Sequence, residues 1–328
     1  MVSAIQPASP ASCDKAAVLL RGGGVVAFPT ETVYGLGADA TNGHAVARIY
    51  HAKGRPSFNP LICHVADVEA LFPLVEVSKA AQVIIEAFWP GSLTLVLPQV
   101  RTCPVSSLAC AGLTSLAVRM PSHPFALDLL REVGRPVVAP SANMSGSISP
   151  TCAQHVLDSL GDRVDLILDG GPCAIGLEST VLDLSGPRPV LLRPGCILQE
   201  DIESVLQSLI ALPEVGETLK SPGQLASHYA PSCPVRLNAL SARSGEVLLG
   251  FGPEAEACGA TLNLSPQADV REAAVNLFAM LHRFDQPGTL GIAVMPIPMH
   301  GLGVALNDRL RRAAAPRLCD ENGSDTSV

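Results

Sequence analysis

Short, continuous apolar runs alternate along the chain with stretches in which apolar residues return every three or four positions. Runs of the first kind read as covered strands, and they predict strands at 24–28, 60–65, 92–97, 116–119, 136–139, 165–169, 180–184 and 189–193. The second kind predicts helices at 42–51, 78–88, 124–133, 151–160 and 199–210. Within 78–88, Ala81, Ile84, Ile85 and Phe88 share one helical face, and Ser78 stands where an N-cap belongs. Interleaved strands and helices of this kind predict an α/β domain with a mixed, largely covered sheet.

The pattern breaks at 211–234, where Pro213, Pro222, Gly223, Pro231 and Pro234 interrupt any periodicity and predict an extended linker. Beyond it come predicted strands at 246–251, 261–264 and 289–295 and helices at 269–284 and 304–314. The expected organisation is therefore an N-terminal extension (1–14), a first domain (15–210), the linker, a smaller α/β domain (235–315) and a polar, disordered tail (316–328).

Composition narrows the class. With 328 residues, 48% hydrophobic and 16% charged, the chain is neither disordered nor, lacking a three-residue glycine period, collagen-like. No apolar run approaches the roughly 18–20 residues of a membrane span. Asp14 and Lys15 argue against a secretory signal. A formal charge of −8 has the wrong sign for coating a nucleic-acid backbone, so no tight nucleic-acid binding is expected. Ten scattered cysteines without a CxxC pair exclude zinc ribbons and redox motifs and suit a reducing cytoplasm, and no metal-ligand cluster stands out. Neither GxxxxGK[ST], GxGxxG, HExxH nor GxSxG occurs.

Candidate chemistry gathers where strands end. Thr30, Glu31 and Thr32 follow a predicted strand directly, with Gly35 and Gly37 turning the chain. There a ligand-binding turn and a self-capping turn are about equally supported. Only four of the 22 basic residues are lysines, and Lys53 straddles Gly54 with Arg55 on a loop stiffened by Pro56 and Pro60. A point charge and a bidentate fork on one ordered loop suit a polyphosphate. His64 lies mid-strand, a position that more often holds a hydrogen-bonded core histidine. Ser141, Asn143, Ser145 and Ser149 follow another strand and can hold phosphate oxygens. An exposed Ser179, Arg193 and Arg119 mark further strand ends, the last a natural clamp for a carboxylate. No covalent nucleophile stands among them.

Taken together, PTETVYGLG at 29–37, KGRP at 53–56, NPL at 59–61, AVRMP at 117–121, APSAN at 139–143, ESTV at 178–181 and LRPG at 192–195 resemble the YrdC-like family, specifically its two-domain threonylcarbamoyl-AMP synthases. SHYAP at 227–231 and GLGVALNDRLRRAA at 301–314 extend the resemblance through the linker and second domain. It implies a twisted mixed sheet around a large concave cleft and a Rossmann-like second domain. It further implies an enzyme that joins L-threonine, bicarbonate and ATP into threonylcarbamoyl-AMP and pyrophosphate. The product would serve N6-threonylcarbamoylation of tRNAs reading ANN codons through downstream transferase proteins. Carried over by residue, L-threonine would contact Thr32, His64, Arg119 and Ser179, with the Ala139 backbone nearby. ATP would contact Lys53, Arg55, Asn59, Ser115, Ser141, Asn143, Ser149 and Arg193, with Tyr229 closing from the linker. Lys53 and Arg55, together with Mg2+, would stabilise the leaving pyrophosphate. An RNA-binding or ribosome-maturation protein and a carbamoyl-transfer module stand as alternatives.

Overall fold

In the computed structural model, residues 5–213, 220–223 and 227–316 are described. The last twelve residues of the expected tail and parts of the expected linker lie outside them. Two separate sheets organise the chain, as the expected α/β class requires.

The larger sheet has ten strands among the described residues. In chain order they are β1 (Ile5–Pro7), β2 (Val26–Phe28), β3 (Gly35–Asp39), β4 (Ile62–His64), β5 (Leu93–Pro98), β6 (Ser115–Arg119), β7 (Val137–Val138), β8 (Leu166–Asp169), β9 (Thr180–Asp183) and β10 (Val190–Arg193). Across the sheet the order is β1-β8-β2-β3-β7-β4-β6-β5-β9-β10, with parallel and antiparallel pairs mixed. Helices α1 (Pro10–Arg21), α2 (Gly43–Lys53), α3 (Lys79–Phe88), α4 (Pro124–Val133), α5 (Ala153–Leu160) and α6 (Gln199–Leu206) cover it. The strand interiors are almost wholly buried because both faces are covered, which is why they read as unbroken apolar runs rather than alternating ones. Ser78 caps α3 as expected, its hydroxyl accepting from the Ala81 N–H.

β11 (Val235–Arg236), β12 (Glu246–Gly250), β13 (Leu262–Asn263) and β14 (Gly291–Val294) form a four-stranded parallel sheet in the order β11-β14-β12-β13. Helices α7 (Val270–Phe284) and α8 (Leu302–Ala314) pack with it. One apolar cluster joins α7 and α8 to Val33, Ile148, Leu177 and Tyr229, so the smaller unit shares a core with the loops of the larger sheet.

The periodicity reading misses β1, α1, β3 and β11. Gly35 and Gly37 depress strand propensity in β3, and the chain there is an extended strand returning antiparallel to β2 rather than the tight turn the glycines predict. The α1 signals are present, with Ser9 as a capping box partner of Ser12 and Pro10 in the first turn.

Candidate active site

The loop 29–34 joins β2 to β3, and its two threonines divide the two roles between them. Thr30 closes the loop on itself: its hydroxyl donates to the Val33 carbonyl at 2.6 Å and accepts from the Thr32 N–H at 3.2 Å. Thr32 instead faces inward, where its hydroxyl accepts from Arg119 Nη1 at 3.0 Å.

Arg119 ends β6 and His64 ends β4, and the parallel register sets these two residues side by side. Arg119 Nη2 pairs with Glu31 Oε1 at 2.5 Å, both side chains being almost wholly buried. Burial pushes the Glu31 carboxyl up, but the charge and hydrogen bond of Arg119 outweigh it and hold the group below its ordinary value. Burial, with Arg119 beside it, lowers His64 to about 3, so the ring is neutral. Its Nδ1 lies 3.2 Å from the Ile62 carbonyl. His64 is thus a hydrogen-bonded core histidine that also lines the cavity.

Lys53 is the last residue of α2, and the chain turns there, with the Arg55 N–H donating to the Tyr50 carbonyl at 2.9 Å. Both cations point into the protein. Lys53 is 2% exposed and donates to the carbonyls of Ser141 at 2.5 Å and of Asn143. Arg55 donates to the carbonyls of Asn59 at 3.1 Å and Pro60 at 2.8 Å. Burial lowers both, Lys53 well below its ordinary value and Arg55 to about 10. The Asn59 carboxamide is buried beside them with neither its oxygen nor its nitrogen hydrogen-bonded, an arrangement native interiors rarely tolerate without a function.

Arg193, at the end of β10, is buried and donates to the Ser179 carbonyl and hydroxyl and to the Pro222 carbonyl of the linker. Ser179 is 1% exposed, which corrects the expectation that it is exposed: Arg193 holds it, and the linker residues Pro222, Gly223, His228 and Tyr229 line the same cavity. Its hydroxyl also meets Thr94 Oγ1 at 2.7 Å. Burial, reinforced by Arg55, Lys53, Arg193 and Arg309, pushes His228 well below its ordinary value.

A partly open cavity of about 40 Å³ is lined by Thr32, Arg55, His64, Arg119, Ala139, Ser141, Ser179, Arg193 and Tyr229. Five expected contacts do not line it. Lys53 and Asn143 adjoin it through the Ser141 loop. Ser149 joins it through Glu178, to whose Oε1 its hydroxyl donates. Asn59 lies behind Arg55. Ser115 stands at the opposite end of β6 from Arg119. Sequence reasoning left Glu31, Glu178, Thr94, His228 and Arg309 without roles, although all but Thr94 lie inside the motifs quoted above.

Charge gives the site its character. Among the described residues, Lys53, Arg55 and Arg193 form no ion pair and meet only carbonyl, hydroxyl and amide oxygens. Buried cations without a counter-charge are costly, and their convergence makes a pocket built for an anion.

The family model described as telomere recombination (Sua5, YciO and YrdC) matches residues 18–195. That described as the threonylcarbamoyl-AMP synthase C-terminal domain matches residues 197–315. The chain is 42% identical to the threonylcarbamoyl-AMP synthase of Bacillus subtilis, over 93% of each chain. The chain belongs to the threonylcarbamoyl-AMP synthase family. The solved Pyrococcus abyssi Sua5, complexed with L-threonine, superposes with a TM-score of 0.86 at 40% identity, covering 93% of this chain and 95% of that one. Escherichia coli YciO matches 58% of this chain and 93% of its own, at 28% identity and a TM-score of 0.52.

Among the described residues no set of three or more His, Cys, Asp or Glu side chains is placed to hold a metal ion. The acids nearest the cavity are engaged, Glu178 of its lining by Arg309 and Glu31 behind it by Arg119. These residues do not make a protein cage for Mg2+. No helix among the described residues is long and apolar enough to cross a membrane.

Proposed function

We propose that the residues around this cavity bind L-threonine beside Arg119 and the phosphates of ATP beside Arg55, Arg193 and the adjoining Lys53, that the space of about 40 Å³ widens to admit them, and that bicarbonate supplies the carbon joined between them. The chain is an enzyme of threonylcarbamoyl-AMP synthesis, as its family membership states. The reading of its site rests on one observation, the three buried cations without ion-pair partners. A triphosphate supplies the charge they lack.

In this reading Arg119, fixed by Glu31 and Thr32, holds the threonine carboxylate. Thr32, His64 and Ser179 surround the rest of the amino acid, with the Ala139 backbone alongside. The amine forms a bond to the carbon of bicarbonate-derived CO2, and a carbamate oxygen then attacks the α-phosphorus as the bond to pyrophosphate breaks. No covalent enzyme intermediate is needed. The residues contribute placement and charge neutralisation, which in a buried site act on the leaving group without reorganising water. Lys53 and Arg55 neutralise pyrophosphate, while Ser141, Asn143, Ser149, Asn59, Ser115, Arg193 and Tyr229 hold the nucleotide. The product passes to the proteins that complete N6-threonylcarbamoylation of tRNA.

Burial argues against the RNA-binding alternative: cations held 2–8% exposed are not available to a nucleic-acid backbone. Pyrophosphate release from ATP is the deciding measurement. It is expected only when L-threonine and bicarbonate are both present. Release that ignores threonine would overturn the reading in favour of another nucleotide chemistry.

A further inference from the structure

Arg309 belongs to α8, in the smaller unit, yet its side chain is fully buried against the loops of the larger sheet. It meets two of these loops and the linker. Nε donates to Glu178 Oε2 at 2.9 Å, Nη2 donates to the Pro194 carbonyl at 3.0 Å, and the guanidinium carbon stands 5.2 Å from the centre of the Tyr229 ring. Nη1 is held by its own neighbour, Asp308, at 2.6 Å. A cation over an aromatic face at that separation is attractive, the more so when water is excluded.

Each of the three partners is one step from the proposed nucleotide contacts. Glu178 precedes Ser179 and accepts from Ser149. Pro194 follows Arg193. Tyr229 is itself a contact, holds a backbone φ of +62°, and rests on Phe278 of α7 with ring centres 5.5 Å apart. A tyrosine in that conformation persists only where its surroundings over-determine it, and Arg309 and Phe278 supply those surroundings from the smaller unit.

We propose that Arg309 is a positioning residue of the synthase reaction, by which the C-terminal unit sets the nucleotide side of the cavity: through Glu178 it orients Ser149, and through the Tyr229 ring it fixes the linker over the site. The inference rests on the nucleotide reading above. It explains why the catalytic sheet and the smaller unit share one core, since the ATP contacts are completed from α8.

The test is Arg309→Lys, which keeps the charge but loses the planar fork that reaches three partners at once. ATP affinity measured by calorimetry, and pyrophosphate release measured at varied ATP and varied L-threonine, should separate the substrates. The expected result is an ATP Kd and KM raised tenfold or more, with the threonine KM within twofold of wild type and an unchanged circular dichroism spectrum. A merely structural role would lower the melting temperature and the active fraction while leaving the ATP KM where it was, and that outcome would overturn the proposal. Should Arg309→Lys fail to fold, Glu178→Gln, which keeps the shape and removes the charge, must raise the ATP Kd in the same way; an unchanged Kd would equally sink the idea. Wild-type protein that binds ATP but releases no pyrophosphate would remove the synthase reading alone, with calorimetry on the variants still deciding the role of Arg309.

Discussion

Arg193 holds Ser179 at two points, its Nε donating to the Ser179 carbonyl at 3.0 Å and its Nη2 to the Ser179 hydroxyl at 3.1 Å. A proposed ATP contact thereby positions a proposed threonine contact, so a change at Arg193 itself reaches both substrates. Arg193→Lys cannot reproduce both bonds. With a charge-assisted hydrogen bond worth ~1.5–3 kcal/mol, the loss of one of them should lower kcat/KM roughly 10- to 150-fold. Steady-state kinetics should show the KM for L-threonine rising along with that for ATP. A rise for ATP alone would mean that the tie carries no coupling.

Lys53 is buried without a counter-charge, whereas Lys79 is exposed on α3. Lys53→Met should lower turnover by about 100-fold or more, the scale of losing a charged group that stabilises a transition state. Its melting temperature should hold or rise, because an uncompensated buried ammonium costs stability in the folded state. Lys79→Met should leave both quantities near wild type. Equal losses in the two variants would refute the assignment.

Gly223 of the linker has a φ of +84°, and a Cβ placed there would stand 2.7 Å from Tyr229 Oη and 2.9 Å from Arg193 Nη1. Gly223→Ala should therefore displace both proposed nucleotide contacts and lower kcat/KM for ATP at least tenfold. Gly112, at φ +74° with nothing within 4 Å of its Cβ position, isolates the backbone cost. Gly112→Ala should lose ~1–3 kcal/mol of stability and no activity per folded molecule. Denaturant melts and kinetics on both variants check the separation.

His155 on α5 and His282 on α7 stack at 3.9 Å, bridging the two units, and His282 Nε2 lies 3.1 Å from the Ser149 carbonyl. Burial lowers both rings, His155 to about 4 with the neighbouring His282 adding to the effect. A folded-state value below the unfolded one means that the unfolded chain takes up protons first. The stability these rings contribute is thus present above about pH 6.5 and lost as pH falls below it, for His155 toward about 4, at ~1.4 kcal/mol per pH unit for each titrating group. Melting temperatures between pH 7.5 and 5 should decline, and His155→Gln should flatten the decline. An unchanged slope would show that the pair does not titrate in this window.

Much of the architecture was legible from local signals. The α4 bounds, the Ser78 cap and the covered strands followed from periodicity and capping chemistry, which act within a few residues. The strand β3 was not, since two glycines hide a strand that long-range pairing with β2 and β7 enforces. Lys53 and Arg55 suit a polyphosphate from their types and spacing, but their burial was not legible, because a sequence does not state which charges lose their water.

What the sequence by itself determined was the order of elements, the mixed α/β class and the placing of hydroxyls, amides and cations at strand ends, all properties of neighbouring residues. Tertiary structure alone decided how those ends meet. The parallel register of β4 and β6 sets His64 beside Arg119; the α2 turn drives Lys53 against the Ser141 and Asn143 carbonyls; Thr94 and Arg193 meet at the buried Ser179; and α8 carries Arg309 against Glu178 and Tyr229. Each joins residues far apart in the chain, and the energies involved, desolvation of charge and the partners found inside, exist only once the layers have packed.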